Sequence, residues 1–237
     1  MPGKVVLLGG GGFVGRCIAS RLSGRGFNVT VPTRRRNNRK ELAMLPGVCL
    51  VAANIHDPLE LEDLFVGADA VINLVGILHD SDSSQPYGRR FAAAHVELPR
   101  KIVAAMQRAG VRRLLHMSAL KAASDAPSSY LRSKAAGEAL VVGAAGKIDA
   151  TVFRPSVIFG PEDVFLNTFA SLLKAFPILP IAGGSTRFQP VYVGDVAEAF
   201  IAALSDRTTI GKTYELGGPT VFTLKALVDY TGRLTGR

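Results

Sequence analysis

The stretch VVLLGGGGFVGR, residues 5–16, sets four glycines directly behind an apolar run and ahead of a helix-like apolar pattern. Glycine loses more backbone freedom on ordering than any other residue, so four in succession between two ordered elements mark a turn that needs backbone unencumbered by side chains. Gly9, Gly12 and Gly15 stand three apart and give G-x-x-G-x-x-G. At a strand-to-helix turn this pattern lets the backbone approach a pyrophosphate, while the helix behind it offers unpaired N–H groups and a partial positive charge. Gly12 is expected to need both the missing side chain and a positive φ. The loop is read as a dinucleotide cradle.

Short apolar runs alternate with helical patterns along the chain, which predicts an α/β fold of the Rossmann type, a doubly wound parallel sheet. Strands are expected at residues 5–8, 28–31, 48–52, 70–75, 112–117 and 150–153, and helices near 14–25, 59–66, 91–109 and 129–145. Pro99 should kink or shorten the third helix. The rhythm changes after Gly160: a helix, a loop-like PILPIAGGSTRFQP, then a short strand and helix. The expected division is a dinucleotide-binding domain over 1–160 with a small C-terminal substrate-side lobe over 161–237, packed as one structural unit. The polar segment ILHDSDSSQPYGRR, residues 77–90, is long enough for a lid or binding loop.

With 237 residues, 48% of them hydrophobic, the chain can bury a sizeable core. Its two cysteines, Cys17 and Cys49, fall in an apparent helix and strand and read as buried free thiols of a reducing compartment, the cytoplasm. No apolar run approaches the roughly 18 residues of a membrane span. A net charge of +9 favours anionic ligands. No stretch interleaves aromatics with Lys and Arg as single-stranded nucleic-acid binders do, so no nucleic-acid partner is expected. No metal site is expected either.

The end of the second strand discriminates between dinucleotides. NAD sites carry Asp or Glu there for the ribose 2′-hydroxyl, whereas a 2′-phosphate calls for Arg. This chain has VPTRRRNNRK, with Arg34, Arg35 and Arg36 and no acid, which favours NADP(H) over NAD(H). Further on, SSYLRSKAAGEAL places Tyr130 and Lys134 on one helix face. An ammonium beside a phenol favours the phenolate and makes an acid/base pair near neutrality. Ser118, ending the strand RLLHMS, could polarise a carbonyl oxygen.

In order, GGGGFVGR, GADAVINLVGIL, AGVRRLLHMSA, YLRSKAAGE, FRPSVIFGPED, RFQPVYVGDVAEA and KTYELGGP resemble the short-chain dehydrogenase/reductase superfamily. The resemblance runs from Val5 to about Thr223, and it is to the extended or atypical branch, in the group related to the dehydrogenase-like accessory subunit of respiratory complex I. It implies that Gly9, Gly12, Phe13, Val14 and Gly15 hold the phosphates and that Arg34 and Arg35 hold the 2′-phosphate. Asn54 and Ile55 would touch adenine, where relatives have an Asp-apolar pair. Asn73, Val75 and Gly76 would form the turn past the ribose; Pro155, Ser156 and Val157 would contact nicotinamide. Ser118, Tyr130 and Lys134 match the catalytic positions, with Lys134 also a cofactor ligand. Two features depart from the pattern: His95 stands where extended relatives often carry Asn, and Ser118 is followed by Ala119 where relatives have a Ser/Thr pair. His95 reads first as a packed or helix-surface histidine, and His116, mid-strand and two residues before Ser118, is read in the same way. The chain also ends earlier than such relatives do, so it is either cut short or has a reduced substrate lobe.

Two functions follow from this reading. In one, the chain is an NADP(H)-dependent oxidoreductase acting on a carbonyl or quinone-like small-molecule substrate. In the other, the nucleotide is structural, and the chain is an accessory or assembly protein peripherally associated with a respiratory or quinone-linked complex.

Overall fold

The computed structural model describes residues 3–34, 40–82, 84–176 and 180–236. Its centre is a sheet of seven strands in parallel pairings: β1 (Lys4–Leu8), β2 (Asn28–Thr33), β3 (Val48–Ala52), β4 (Ala70–Asn73), β5 (Arg113–Met117), β6 (Asp149–Pro155) and β10 (Thr213–Leu216). The order across the sheet is β10-β6-β5-β4-β1-β2-β3. The chain therefore winds outward in one direction from β1 and in the other from β4. The crevice at the carboxyl ends of those two strands is where open α/β sheets bind ligands.

From Val5 onward β1 is apolar because helices cover both faces of the sheet. Val5 and Leu7 join one core with Ile18, Leu22 and Phe200. Val6 and Leu8, alternating with them, join the other with Phe65, Leu98, Ile102 and Met106. The first face is covered by α1 (Phe13–Gly24), α8 (Val193–Ser205) and the short α2 (Lys40–Ala43), which contributes Leu42. The second is covered by α3 (Pro58–Phe65), α5 (Leu98–Arg108) and α6 (Ser129–Val142). Side-chain caps set where several helices begin. Asp57 accepts from the amides of Leu59 and Glu60 ahead of Pro58, and Ser128 accepts from Leu131 at the start of α6.

Pro99 does not end its helix. Arg89–Phe91 (α4) enters a π-helical segment, Ala92–Glu97, which continues directly into α5. Proline supplies no amide to the carbonyl four residues before it, that of His95, and the wider spiral absorbs the mismatch upstream. Past residue 160 the chain divides. α8 and β10 return to the main sheet, whereas α7 (Phe165–Ala175) packs on α9 (Leu224–Leu234) beside the β8–β11 ribbon, Arg187–Phe188 with Phe222–Thr223. Ile158–Phe159 (β7) pairs with Val191–Tyr192 (β9) and ties the two parts together. Both cysteines are free, but the expectation of buried thiols fails at Cys49, which is exposed on the edge strand β3; Cys17 is half-buried. Among the described residues no helix is long and apolar enough to cross a membrane.

Candidate active site

The glycine loop closes the β1–α1 turn. Gly12 donates its amide to the Gly9 carbonyl at 3.0 Å and then caps α1 without a side-chain hydrogen bond, so the first-turn amides of Phe13, Val14 and Gly15 face out of the helix end. The left-handed residue is Gly9, at φ +82°; the expected positive φ at Gly12 is not found, since Gly12 is extended at φ −81°. The reason is positional: the reversal of the chain is complete before the N-cap, which requires β-region angles. A Cβ on Gly15 would meet the Gly9 carbonyl and stand 2.5 Å from the Gly10 Cα, so this glycine lets helix and loop touch. A Cβ on Gly9 would stand 3.2 Å from the Leu74 carbonyl carbon and the Val75 amide nitrogen, which brings the phosphate loop against the turn after β4.

That turn is built around Asn73. Its side chain accepts from the Val75 amide at 3.1 Å, and its Nδ2 lies 3.2 Å from His116 Nδ1 on the neighbouring strand, where the register pairs the two residues. His116 is buried, and desolvation first, then the charge of Lys134, pull its pKa down to about 3. It is a neutral core histidine that braces Asn73.

Of the two residues expected at adenine, Asn54 is exposed and Ile55 half-buried; the Asn54 side-chain oxygen accepts from the His56 amide, and the Asn54 amide donates to Glu60. Arg34 is exposed at the end of β2. Burial, then Lys101, then Arg34 lower the pKa of His56, so the Arg34 charge reaches the Asn54–Asp57 turn. Arg35 and Arg36 lie outside the described residues.

Ser118, Tyr130 and Lys134 come from two elements. Ser118 follows β5 and is locked across to β6 by its amide, which donates to the Phe153 carbonyl at 2.7 Å. Its hydroxyl is buried and finds no hydrogen-bond partner. Such a group costs about 1–3 kcal/mol unless a ligand satisfies it. Leu120 donates to the Pro155 carbonyl at 2.9 Å and Ser156 to that of Leu216 at 2.8 Å; Val157 accepts from Val191. The turn at Pro155, Ser156 and Val157 is thus fastened to the Ser118 segment.

Lys134, 4% exposed, donates to the Met117 carbonyl at 2.7 Å. Desolvation pulls its pKa down to about 8, against the opposing pull of Glu138 one turn on. Burial raises the Tyr130 phenol above its ordinary value. This is opposite to the expected lowering by Lys134. The ammonium is turned to the strand end, and the phenol ring is enclosed edge-on by Phe91 and His95 at centroid distances of 6.0 and 5.6 Å.

Several residues that hold the site carry no sequence signal of doing so. Glu138, 6% exposed, takes three hydrogen bonds of 2.7–3.1 Å from Arg154 and fixes α6 on β6. Arg132 donates to the carbonyls of Pro86, Ala126 and Pro127. Asp80 and Asp82 accept the amides of Asp82, Phe91, Ser84 and Arg89. These bonds brace the described residues of 77–90, the segment expected as a lid or binding loop; only the Asp-x-Asp-x-Ser pattern, typical of Asx turns, could have suggested the bracing. His95 Nε2 accepts from the Ile77 amide at 3.1 Å, and its Nδ1 lies 2.8 Å from Ser133 Oγ.

The residues present fit a dinucleotide: a helix end with no capping side chain, an adjoining glycine cradle that a Cβ would obstruct, and an unsatisfied buried hydroxyl just past the end of β5. Residues 5–217 match the model of the NAD dependent epimerase/dehydratase family, and the chain belongs to that family. Within it, the chain is 36% identical over 230 residues to the NADH dehydrogenase (ubiquinone) 1 alpha subcomplex subunit 9, mitochondrial, of Arabidopsis thaliana, covering 94% of this chain and 56% of that protein. The Mus musculus protein of the same name is 33% identical, with 98% of this chain and 61% of that one covered. The chain therefore spans 56% and 61% of the length of these two relatives. Among solved structures, UDP-glucuronic acid 4-epimerase from Bacillus cereus, in complex with UDP-glucuronic acid and NAD, superposes with a TM-score of 0.83 at 18% identity, covering 99% of this chain and 83% of that one. That likeness concerns the fold.

Proposed function

We propose that this chain is an NADP(H)-binding protein of the accessory type, holding its nucleotide as a structural or sensing ligand and associating peripherally with a respiratory or quinone-linked membrane complex. The observation that carries this reading is the 36% identity along 94% of the chain to a subunit named for NADH dehydrogenase. The site chemistry supports it. Tyr130 is raised by burial instead of activated, and Lys134 is committed to the Met117 carbonyl, which suits a side chain that fixes a strand end and presents its remaining protons to a ribose. Gly9, Gly12, Phe13, Val14 and Gly15 would hold the phosphates, Arg34 and Arg35 the 2′-phosphate, Asn54 and Ile55 the adenine. Asn73, Val75, Gly76 and Lys134 would hold the ribose, and Pro155, Ser156 and Val157 the nicotinamide.

One observation favours a second reading, reduction of a carbonyl or quinone-like substrate. The buried Ser118 hydroxyl has no partner, and a substrate oxygen would satisfy it. The nicotinamide would supply the hydride; Ser118 would orient the oxygen, Tyr130 would give up the proton and Lys134 would lower the cost of the phenolate. Purifying the protein, identifying any retained nucleotide, and assaying NADPH oxidation with quinones, aldehydes and ketones separates the two. Bound NADPH without turnover, together with co-sedimentation with respiratory membranes, is the outcome expected. Turnover would establish the second reading, and absence of any nucleotide affinity would overturn both.

A further inference from the structure

We propose that His95 is a positioning residue: held in its Nδ1-protonated form, its ring ties the Gly76–Ile77 turn to the helix that carries Tyr130 and Lys134. The inference rests on the dinucleotide reading above only insofar as that turn borders the nucleotide. The directions of the hydrogen bonds follow from the partners. A backbone amide can only donate, so Nε2 of His95 accepts from Ile77 at 3.1 Å and carries no proton. The proton is then on Nδ1 and is donated to Ser133 Oγ at 2.8 Å, while the Ser133 hydroxyl donates to the Tyr130 carbonyl at 2.7 Å. A continuous chain of three hydrogen bonds runs from the turn to the first residues of α6.

The fold places this ring with care. His95 lies in the π-helical segment, and Pro99 denies its carbonyl the α-helical amide. Gly137 of α6 packs so close to that carbonyl that a Cβ there would collide with it. The segment is thereby seated on α6, and the imidazole is stacked on Phe91 at 5.4 Å and edge-on to Tyr130 at 5.6 Å. On the other side, a Cβ on Gly76 would be 3.5 Å from His95 Nε2 and 3.9 Å from Lys134 Nζ, so the glycine admits both groups to the same stretch of backbone. Burial, then the nearby Lys134 charge, pull the His95 pKa down to about 3. Protonating Nε2 would also set one donor against another at Ile77. The hydrogen-bond chain ends on the Tyr130 backbone carbonyl and not on its phenol, so the ring carries no proton to the phenol and acts as a strut.

Two measurements on the full chain test this. In long-range imidazole nitrogen NMR, His95 should show the Nδ1–H tautomer unchanged from pH 5 to 9; an Nε2–H tautomer, or titration near pH 6.5, would overturn the proposal without any variant. For binding, His95→Phe keeps an aromatic ring and removes both nitrogens, leaving the Ile77 amide unpaired. It should raise the dissociation constant for NADPH about tenfold, and His95→Gln, whose Oε1 can occupy the place of Nε2, should recover most of that loss. Equal NADPH affinity in the native protein and a folded His95→Phe variant would overturn the positioning role. If the native protein binds no NADPH, the functional reading fails, and the tautomer still decides whether the strut exists. Should His95→Phe fail to fold, His95→Gln decides the binding arm: near-native affinity supports the role, and a loss as large as about tenfold overturns the claim that the Nε2 acceptor is what matters.

Discussion

The Lys134 ammonium donates to the Met117 carbonyl at 2.7 Å, joining α6 to the end of β5 one residue before Ser118. Lys134 is therefore structural before it is anything else. Lys134→Ala leaves that part-buried carbonyl without its donor, which costs about 1 kcal/mol of folding stability. It should also weaken NADPH binding, since the same ammonium is one of the groups proposed to hold the ribose. Denaturant unfolding and a fluorescence titration check the two effects separately; a loss of affinity with unchanged stability would show that the Met117 contact contributes nothing.

Gly12→Val tests the cradle without testing the turn. A Cβ on Gly12 meets only the Gly9 carbonyl, at 3.3 Å, and its extended backbone is one that valine adopts. The variant should fold and lose nucleotide binding, because the branched side chain would occupy the approach of the pyrophosphate to the helix end. Gly15→Ala, in contrast, should destabilise the protein itself, since its Cβ would press on Gly9 and Gly10. Circular dichroism with calorimetric titration distinguishes these outcomes, and a Gly12→Val protein of undiminished affinity would reduce the loop to a turn.

Charge at the end of β2 should set the preference between cofactors. The native protein is expected to bind NADPH more tightly than NADH, and Arg34→Ala combined with Arg35→Ala should shrink the difference about tenfold or more while leaving NADH affinity nearly unchanged. Equal affinities in the native protein would contradict the assignment.

Acid should unfold this protein earlier than its surface charges suggest. His95 and His116 are each held near pKa 3, against 6.5 for an ordinary histidine. Between pH 6.5 and about 3 the unfolded chain binds the extra protons, so stability falls as pH falls across that window. Each histidine contributes about 1.4 kcal/mol per pH unit once well inside it. Thermal melts from pH 7 to 4.5 should show a steep decline, flattened in His116→Asn relative to its own value at pH 7. A melting temperature independent of pH over that range would refute the buried neutral state.

The sheet was legible because its strands are short apolar runs, and buried parallel strands have few other ways to be encoded. The phosphate loop was legible because its glycines meet a steric demand at fixed spacing. β10 was not: TYEL has exposed and half-buried residues in alternation at a sheet edge, a weak apolar signal. α9 was missed for a related reason, since LKALVDYTGRL carries a tyrosine, a threonine and a glycine in succession, all weak helix formers. At the site, Ser118, Tyr130 and Lys134 could be named from their spacing. Where Lys134 donates could not, because Met117 contributes only a carbonyl and every residue has one. His95 is a similar case: its partners are an amide, a serine and a tyrosine carbonyl, brought to it by a proline and a glycine distant in the chain.

The phenol of Tyr130 gives the sharpest division between the two functional readings. Tyr130→Phe removes one hydroxyl and keeps the ring that packs against Phe91 and His95. Stability and NADPH affinity should both hold, since the phenol can offer a cofactor at most one neutral hydrogen bond, about 0.5–1.5 kcal/mol. If the protein is a reductase, losing its proton donor should lower turnover by about 10²–10⁴-fold at unchanged cofactor affinity. If the nucleotide is structural, the variant should match the native protein in NADPH retention and in co-sedimentation with respiratory membranes. With burial holding the phenol above its ordinary range, any turnover that does exist should show no basic limb from Tyr130 below pH 10, and a limb near pH 8 would belong to Lys134. A rate that falls away near neutral pH with a midpoint traceable to Tyr130 would mean that Lys134 activates the phenol after all, and the accessory reading would fall with it.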